Sequence, residues 1–317
     1  MRQATLLIAF IKFSILRALD QSADGERTLI LHIPKSGGST LCNALRRAER
    51  DISNSTVSSG ERTNCWEPYD GPLWCCPNIV SIEERTCQQR RMYNHQYAMI
   101  ERHMDTDSKT GEVLLCAGVK YVAILREPVS RAVSHVHHFV SVLPRIRDWL
   151  FRTPSPVVCR FFDHLDRISP YSDESGSLVK TVFGTNMKTN FKSLEKDFYS
   201  INSFTSNYIT RMVLGKSIGA DDFTLSRHAI NAPELKKALN VLVRFDAVFK
   251  LESLDQQGPS LQRFLGIAVS DIEHVGHRVA KHDILYRLLE TNYSRWLRKR
   301  NHWDVSLSEA LFDGTAL

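Results

Sequence analysis

The chain has 317 residues, of which 43% are hydrophobic and 24% charged. This is the composition of a globular protein, and it excludes a collagen-like, low-complexity or wholly disordered chain. Lysine and arginine outnumber aspartate and glutamate by 41 to 35, and the resulting net charge of +6 suits an anionic ligand but is too small to indicate a nucleic-acid-binding protein.

An apolar segment lies near the start of the chain. Residues Ala4–Leu19 are mostly hydrophobic, but Lys12 and Arg17 interrupt the run, which is therefore shorter than the roughly 20 apolar residues of a membrane-spanning helix. Its length and the preceding Arg2 match the apolar core of a secretory signal peptide. We therefore expect residues 1–26 to be a signal or signal-anchor segment, and the alternative is an amphipathic helix packed on the domain.

The first predicted strand leads into a glycine-containing loop and then into a helix. Thr28–Ile33 (TLILHI) is an apolar run of strand formers, Pro34–Gly38 is the loop, and Ser39–Glu49 has the leucine spacing of a helix. In this order of elements the N-terminus of the helix is available to an anion.

The residue types of this loop are those that bind phosphate. Gly37 and Gly38 allow backbone N–H groups to approach an anion closely, and Ser39 and Thr40 add hydroxyl donors at the helix N-terminus. Lys35 adds a positive charge, but it precedes both glycines, whereas the lysine of nucleoside-triphosphatase loops follows the last glycine. The segment predicts a phosphate-binding loop of another class, and the alternative is a turn with no ligand.

The next segment is polar and carries a cysteine cluster. Residues 51–77 are predicted to be a loop, and Ser81–Glu84 is a capping box that begins a helix to about Met92. Four of the seven cysteines lie in this segment without metal-ligand spacing, namely Cys65, Cys75, Cys76 and Cys87. We expect disulfides here and an oxidising compartment, which the glycosylation acceptor patterns at Asn54 and Asn292 also favour; the alternative is unpaired thiols in a cytosolic protein.

A second apolar run, Tyr121–Leu125 (YVAIL), predicts a strand that ends at Arg126. Because Pro128 begins the next helix, Arg126 lies at the carboxyl end of a strand, where open α/β sheets bind ligands. Arg126 is suited to pairing with a phosphate, and Ser134, two turns along the helix, is suited to donating a further hydrogen bond. Arg131 is predicted to lie on the solvated face of this helix.

Strands alternate with helices in the rest of the chain. Pro233 begins a helix, Ala247–Leu251 (AVFKL) is a third strand, and Asp283–Arg300 is a helix with a basic end. This basic end is predicted to be solvated, and the alternative is that it holds an anionic glycan. This alternation predicts an α/β fold with a largely parallel sheet. No boundary divides residues 27–317, which we expect to form one domain.

Two of these segments together resemble the sulfotransferases that use 3′-phosphoadenosine 5′-phosphosulfate (PAPS). His32–Thr40 (HIPKSGGST) is similar to that family's 5′-phosphosulfate loop, and Leu125–Arg131 (LREPVSR), followed by Ser134, is similar to its 3′-phosphate element. The variant is most similar to the Golgi carbohydrate sulfotransferases, including those that act on heparan sulfate. The resemblance extends over roughly residues 27–312. It implies a three-layer, P-loop-like α/β fold whose central, mostly parallel sheet is flanked by helices.

The resemblance also implies roles for individual residues. Lys35 would stabilise charge on the bridging oxygen and the departing phosphate, and Arg126 and Ser134 would hold the 3′-phosphate. The cofactor-binding residues so implied are Lys35, Ser36, Gly37, Gly38, Ser39, Thr40, Arg126 and Ser134. No metal is implied. Fainter similarities lie at Asn207–Met212, Phe249–Leu254 and Asn301–Asp304, and Glu127 stands where the family commonly has aspartate.

A hydroxyl acceptor needs a general base. In the related heparan sulfate enzymes a histidine or glutamate between the two motifs has this role, and Tyr93–Met104 (YNHQYAMIERHM) contains the candidates. His95 is the first choice for the catalytic base, and Glu101 and His103 are the alternatives. Other histidines are expected to pack in a strand or to lie on the helix beside the 3′-phosphate, namely His32, His135, His137 and His138.

The resulting hypothesis is a PAPS-dependent sulfotransferase of the Golgi lumen or Golgi membrane. Its partner would be a carbohydrate acceptor, anionic polysaccharides included, with no nucleic acid. Two other hypotheses stay open. A nucleotide kinase or other phosphate-loop enzyme is disfavoured by the order of lysine and glycines, and a non-catalytic module that binds PAPS or a glycan is disfavoured by the intact loop.

Overall fold

The computed structural model describes residues 27–48, 97–100, 104–107, 109–141, 143–165, 177, 191–215, 230–272 and 283–314. The predicted N-terminal segment, the loop over 51–77 and the helix predicted from Ser81 to about Met92 lie outside these residues. Within the described ranges, no helix is both long enough and apolar enough to cross a membrane.

The described elements alternate between strands and helices in the first part of the chain and are helical in the rest. In chain order they are β1 (Arg27–His32), α1 (Gly38–Arg47), β2 (Tyr97–Ile100), β3 (Val119–Leu125), α2 (Pro128–Ser141), α3 (Pro144–Arg152), α4 (Ser155–Leu165), α5 (Phe191–Phe204), α6 (Tyr208–Val213), α7 (Ala232–Leu242), β4 (Ala247–Lys250), α8 (Gly258–Leu265), α9 (Ile284–Asn292), α10 (Ser294–Arg300) and α11 (His302–Phe312). Stretches of 3₁₀ helix over Leu251–Gln257 and Val269–Asp271 precede and follow α8. The protein is therefore of the α/β class.

The four strands form one parallel sheet in the order β2-β1-β3-β4. In its register Ile30 lies opposite Val122, and Leu125 lies opposite Lys250. The three predicted strands and their parallel pairing are confirmed. The strand β2 was not predicted, because its four residues fall in the segment that was interpreted for its histidines and glutamate.

The strand order places a topological switch point between β1 and β3. The chain passes from β1 to β2 on one side, and from β3 to β4 on the other side. The connections that leave the carboxyl ends of these two neighbouring strands therefore diverge, which is where open α/β sheets bind their ligands. The loop that begins after His32 and the turn that begins at Arg126 leave the sheet at these two strand ends.

The chain divides into two compact units. The first comprises Met1–Ile33, Gly37–Leu125 and Asn240–Glu273, and the second comprises Pro34–Ser36, Arg126–Leu239 and His274–Leu317. In the first unit, apolar residues of the sheet such as Ile30 and Ile124 pack with Leu41 and Leu45 of α1. The burial of each such side chain contributes about 1.5–3 kcal/mol.

The core of the second unit is rich in aromatic residues. Phe161 and Phe198 meet with ring centroids 4.8 Å apart, and Trp149 lies 5.2 Å from Phe161 and 5.3 Å from Phe198. Buried aliphatic residues of α2, among them Val136, complete this core. The core holds together helices for which the sequence analysis made no prediction, including α3, α4 and α5.

The C-terminal region differs from its prediction. Asp283 caps the N-terminus of α9 by accepting hydrogen bonds from the N–H groups of Leu285 and Tyr286, as a helix start at Asp283 requires. However, the single helix predicted over Asp283–Arg300 is wrong, because α9 ends at Asn292 and α10 begins at Ser294. Tyr293, which lies between the two helices, is buried in the core of the second unit.

Candidate functional site

The loop after β1 has an unusual backbone. Lys35 has φ 68° and Gly37 has φ 88°, so both residues are in the left-handed region. This conformation is ordinary for glycine but uncommon for lysine, and such strained residues cluster at functional sites. Between them, Ser36 is 1% exposed, and its Oγ has no hydrogen-bond partner among the described residues. A buried hydroxyl without a partner is uncommon in a folded protein.

The helix α1 begins directly after this loop, and its first turn has no acidic residue. Gly37 is the N-cap residue without a side-chain cap, and the first intrahelical bond is donated by Leu41 to the Gly37 carbonyl (3.0 Å). Both glycines lie against neighbouring side chains of the first unit. A Cβ on Gly38 would lie 1.8 Å from His32 Nε2, and one on Gly37 would lie 2.5 Å from Leu251 Cδ1. Close packing therefore requires glycine at both positions.

In the second unit, Arg126 lies beside the Lys35 backbone. Its Nη1 donates to the Lys35 carbonyl oxygen (3.2 Å), which holds the guanidinium against the loop. Glu127 accepts a hydrogen bond from the Ser130 N–H (2.7 Å) and so caps the first turn of α2. Its other oxygen lies 3.7 Å from the exposed Arg298 guanidinium. The position where the resembled family commonly has aspartate is therefore a capping position.

One face of α2 carries the remaining basic groups of the site. Its side chains come from positions three or four residues apart, which lie on the same side of a helix. These residues are Arg131, from which Ser134 and His135 are three and four positions away, and His138, which is four and three positions beyond them. Burial first, and then the charges of Arg131 and Lys35, hold the pKa of His135 well below its ordinary value. Desolvation and the Lys35 charge also lower the pKa of His138. Lys35 is therefore close to this face of α2.

The prediction that Arg131 is solvated is wrong, because its side chain is fully buried. Its Nη2 donates to the Phe204 carbonyl (2.6 Å), its Nη1 lies 3.2 Å from His135 Nδ1, and its guanidinium stacks 4.7 Å above the Tyr208 ring. Burial lowers the pKa of Arg131, while the Asp304 carboxylate opposes that change. Apart from His135, these partners of Arg131 belong to α5, α6 and α11. The periodicity of α2 cannot predict that these helices pack against it.

A buried polar network joins two of the faint familial segments. Asp304 is fully buried and accepts hydrogen bonds from the Ile209 N–H (2.9 Å), the Thr210 N–H (2.8 Å) and the Thr210 hydroxyl (2.6 Å). In return, the Asn207 side chain accepts from the N–H groups of Trp303 and Asp304 (3.1 and 3.4 Å). Burial raises the pKa of Asp304 despite these donors. The segments therefore form one structural unit that supports α6.

Two further arginines are buried near this network. Arg211 donates to the Ser203 carbonyl, and burial lowers its pKa to about 10. Arg300 donates to the Asn202 side chain (2.6 Å) and stacks 5.0 Å from the Trp296 ring. The solvated basic end predicted for this helix is therefore wrong for Arg300, which is 8% exposed, whereas Arg298 and Lys299 are exposed.

The predicted site residues are thus only partly brought together. In the second unit, the structure brings Lys35 and Arg126 together next to the face of α2 that carries Ser134. The predicted residues of the first unit all belong to the start of α1 or its N-cap, namely Gly37, Gly38, Ser39 and Thr40. The candidate bases His95, Glu101 and His103 lie outside the described residues. His32 is buried in β1 against Gly38, in agreement with its predicted packing role.

The resemblance places His135 on the helix beside the 3′-phosphate, and helix periodicity places Arg131 on the solvated face, so the contact between these two side chains was not predicted. Their four-residue spacing was the available signal, since it places a guanidinium beside an imidazole on a helix. The described residues contain no group of three or more His, Cys, Asp or Glu that could hold a metal ion. Of the described cysteines, Cys42 and Cys116 are disulfide-bonded and Cys159 is a free thiol.

Comparison with protein-family descriptions, with curated proteins and with solved structures finds no match for this chain.

Proposed function

We propose that this chain is a PAPS-dependent sulfotransferase that transfers a sulfuryl group to a hydroxyl of a carbohydrate acceptor, and that its α/β fold is of the P-loop-like sulfotransferase type. The proposal starts from the resemblance of the two motifs. The observation that carries it is the convergence of Lys35 and Arg126 beside the basic face of α2. These residues follow the two strand ends at the switch point of the sheet.

The electrostatics of this group favour a multiply charged anion. Lys35 and Arg131 both lower the pKa of His135, so two positive groups lie near the same ring in a partly desolvated region. The Asp304 carboxylate offsets part of this charge at Arg131, and an anion bound beside Lys35 would offset more of it. The unpartnered Ser36 hydroxyl supplies a neutral donor in the same loop. A nucleotide with phosphates at two positions meets both requirements.

The proposed reaction depends on positioning and on charge stabilisation. The acceptor oxygen attacks sulfur in line as the bond from sulfur to the phosphate oxygen breaks, and the leaving group is adenosine 3′,5′-bisphosphate. Lys35 stabilises the charge that develops on the departing phosphate, while Arg126 and Ser134 bind the 3′-phosphate. The N–H groups of Gly37–Thr40, which follow Ser36 directly in the chain, bind the 5′-phosphate. The acceptor proton passes to a base, for which His95 stays the first candidate.

A luminal location is part of the same proposal. Disulfide bonds at Cys42 and Cys116 suit an oxidising compartment. Asn292, which begins a glycosylation acceptor triplet, is exposed at the end of α9 and is accessible to a glycan. The acceptor is proposed to be a glycan because the motif variant resembles the Golgi carbohydrate enzymes.

The decisive experiment combines binding and transfer. We expect adenosine 3′,5′-bisphosphate to raise the melting temperature of the purified protein, and labelled sulfate to pass from PAPS to at least one member of a polysaccharide and glycolipid panel. Arg126→Ala should weaken bisphosphate binding by about 10- to 100-fold, because a charged hydrogen bond is lost. Lys35→Ala should reduce transfer by about 100-fold or more, because a charge that stabilises the leaving group is lost.

Exposed basic residues away from the site supply matched controls. Lys237→Ala in α7 and Arg152→Ala in α3 remove the same charges and should leave both binding and transfer unchanged. Undiminished sulfate transfer by Lys35→Ala and Arg126→Ala would refute the proposal. Magnesium-dependent phosphate transfer from ATP would support the kinase instead, and bisphosphate binding without transfer to any acceptor would support the non-catalytic module.

A further inference from the structure

The two ring nitrogens of His135 have different surroundings. Nδ1 lies 3.2 Å from Nη1 of Arg131 in a buried contact. A guanidinium has only donors, so Nδ1 must be the acceptor in this contact. The neutral ring therefore carries its proton on Nε2, and the imidazolium form would place an N–H at Nδ1 against the N–H of Arg131.

The plane of the ring is also determined by its neighbours. His135 stacks on Phe204 with centroids 4.2 Å apart and an interplanar angle of 16°, and the Tyr208 ring meets it edge-on at 5.7 Å. Arg131 is itself held by its hydrogen bond to the Phe204 carbonyl and by stacking over Tyr208. Both partners of the contact are therefore fixed before any ligand binds.

The other nitrogen, Nε2, is the free end of the ring. The described contacts of the ring include no hydrogen bond to Nε2. The residue as a whole is 7% exposed. Ser134 precedes it in the chain, and Lys35 is near enough to influence its protonation. The Nε2–H is therefore the donor that the ring can offer to a ligand bound beside Lys35.

We propose that His135 is a further ligand-binding residue, which donates a hydrogen bond from its neutral Nε2–H to a phosphate oxygen of the nucleotide, and that Arg131 is the positioning residue that selects this tautomer. The identity of the ligand rests on the proposed sulfotransferase function. The tautomer does not, because it follows from the contact between Arg131 and His135 alone.

The charged and titratable groups around His135 keep it neutral. Arg131 and His138 face it from its own helix, Lys35 faces it from the loop after β1, and Tyr208 faces it from α6. The carboxylate of Asp304, on α11, acts on Arg131. A neutral donor of this kind binds phosphate without taking up a proton, so its contribution to binding should not change between about pH 6 and about pH 8.

The tautomer is tested on the ligand-free protein labelled with ¹⁵N-histidine. We expect the His135 signals, assigned by their loss in His135→Phe, to show a proton on Nε2 and no titration from about pH 8 down to about pH 6. A proton on Nδ1, or a titration near the ordinary histidine pKa of about 6.5, would overturn the positioning role of Arg131.

Variants of Arg131 separate positioning from simple packing. Arg131→Lys keeps a donor and should keep the Nε2–H tautomer. Arg131→Met keeps the aliphatic stem but removes the donor to Nδ1, so a proton on Nδ1 is no longer excluded and the Nδ1–H tautomer should appear in the histidine spectra. Unchanged histidine spectra in Arg131→Met would contradict the inference. If Arg131→Met does not fold, the histidine spectra of the natural protein are compared with those of Arg131→Lys. A different His135 tautomer in Arg131→Lys would contradict the positioning role of Arg131.

The ligand contact is tested by calorimetry with adenosine 3′,5′-bisphosphate. His135→Phe keeps the ring stacked on Phe204 and should weaken binding by about 10-fold, because one hydrogen bond to a charged group is lost. The control His302→Phe, at an exposed histidine, should bind as the natural protein does. Equal affinity of His135→Phe and the natural protein would overturn the donor role. If the natural protein does not bind the bisphosphate, the proposed function and the donor role are both overturned. The His135 tautomer is still tested independently by the histidine spectra.

Discussion

At the scale of single residues, Gly38 shows how closely the start of α1 packs on β1. Its φ is not in the left-handed region, so the need for glycine comes from space alone. The site of a Cβ is occupied by the ring of His32, which is itself 8% exposed and has little room to move. A residue with a side chain at this position would displace the histidine and with it the beginning of the helix.

We expect Gly38→Ala to lower the free energy of unfolding by about 1–3 kcal/mol, which is the usual effect of overpacking. Urea denaturation followed by circular dichroism measures this change. Gly111→Ala is the contrasting variant, because Gly111 has φ 66° and no atom within 4 Å of its Cβ position. Its expected cost of about 1–2 kcal/mol comes from the backbone conformation alone, whereas the cost at Gly38 comes from space alone. A Gly38→Ala protein as stable as the natural one would show that His32 moves aside freely.

The same scale shows what residue types alone could predict. Lys35, Gly37 and Arg126 were identified because a charged or glycine residue after a buried strand is a local signal. Arg131 was misassigned because an arginine on an amphipathic helix is usually solvated, and its burial depends on partners more than seventy positions away, such as Phe204. His95 and Glu101 stay predictions.

At the scale of elements, Asp304 joins α11 to the first turn of α6. Its carboxylate accepts two backbone N–H groups and one hydroxyl of that turn, so it satisfies donors that a helix N-terminus leaves unpaired. Arg131 packs over Tyr208 of the same helix. The position of α6 therefore influences how Arg131 is held, and through it the ring of His135.

We expect Asp304→Ala to destabilise the protein by about 3–5 kcal/mol, because it leaves the buried Arg131 and Arg211 without a carboxylate and the α6 donors without an acceptor. Asp304→Asn should cost less, about 1–3 kcal/mol, because its oxygen still accepts while its amide faces a donor. Thermal and urea unfolding measure both. Asp313→Ala, at an exposed aspartate, is the control and should change stability little. The ranking would be contradicted if Asp304→Asn were the less stable variant.

At the scale of the whole molecule, the cysteines bear on the compartment in which the protein folds. Cys159 is a partly buried free thiol, and burial together with the nearby Asp163 raises its pKa to about 11. A thiol with so high a pKa is almost wholly protonated at neutral pH and reacts slowly. Cys42 and Cys116 are disulfide-bonded, so the seven cysteines of the chain include both disulfide-bonded residues and a free thiol.

Of the three described cysteines, we expect Cys159 to react with maleimide in the denatured, unreduced protein from a secretory expression host, and Cys42 and Cys116 to react only after reduction. In the native state at about pH 8, labelling of Cys159 should be slow because little thiolate is present. Cys159→Ser should remove the label at this position. Seven reactive thiols before reduction would contradict the luminal assignment, whereas fast native labelling would contradict only the burial of Cys159.

Several parts of this protein could be predicted because residues close together in the chain specify them. Apolar runs predicted β1, β3 and β4, and the proline at position 128 predicted the start of α2. These features depend on residues close together in the chain, and so does the loop that contains Lys35.

Other features depend on contacts between elements that lie far apart in the chain. The strand order, the burial of Arg131, the break at Tyr293 and the bonds from Asp304 to residues about 95 positions away depend on which elements meet in space. The position of the proton on His135 belongs to this second group, because it is determined by what contacts Nδ1. Such contacts leave no periodic pattern in a sequence, since each depends on the packing of several elements at once.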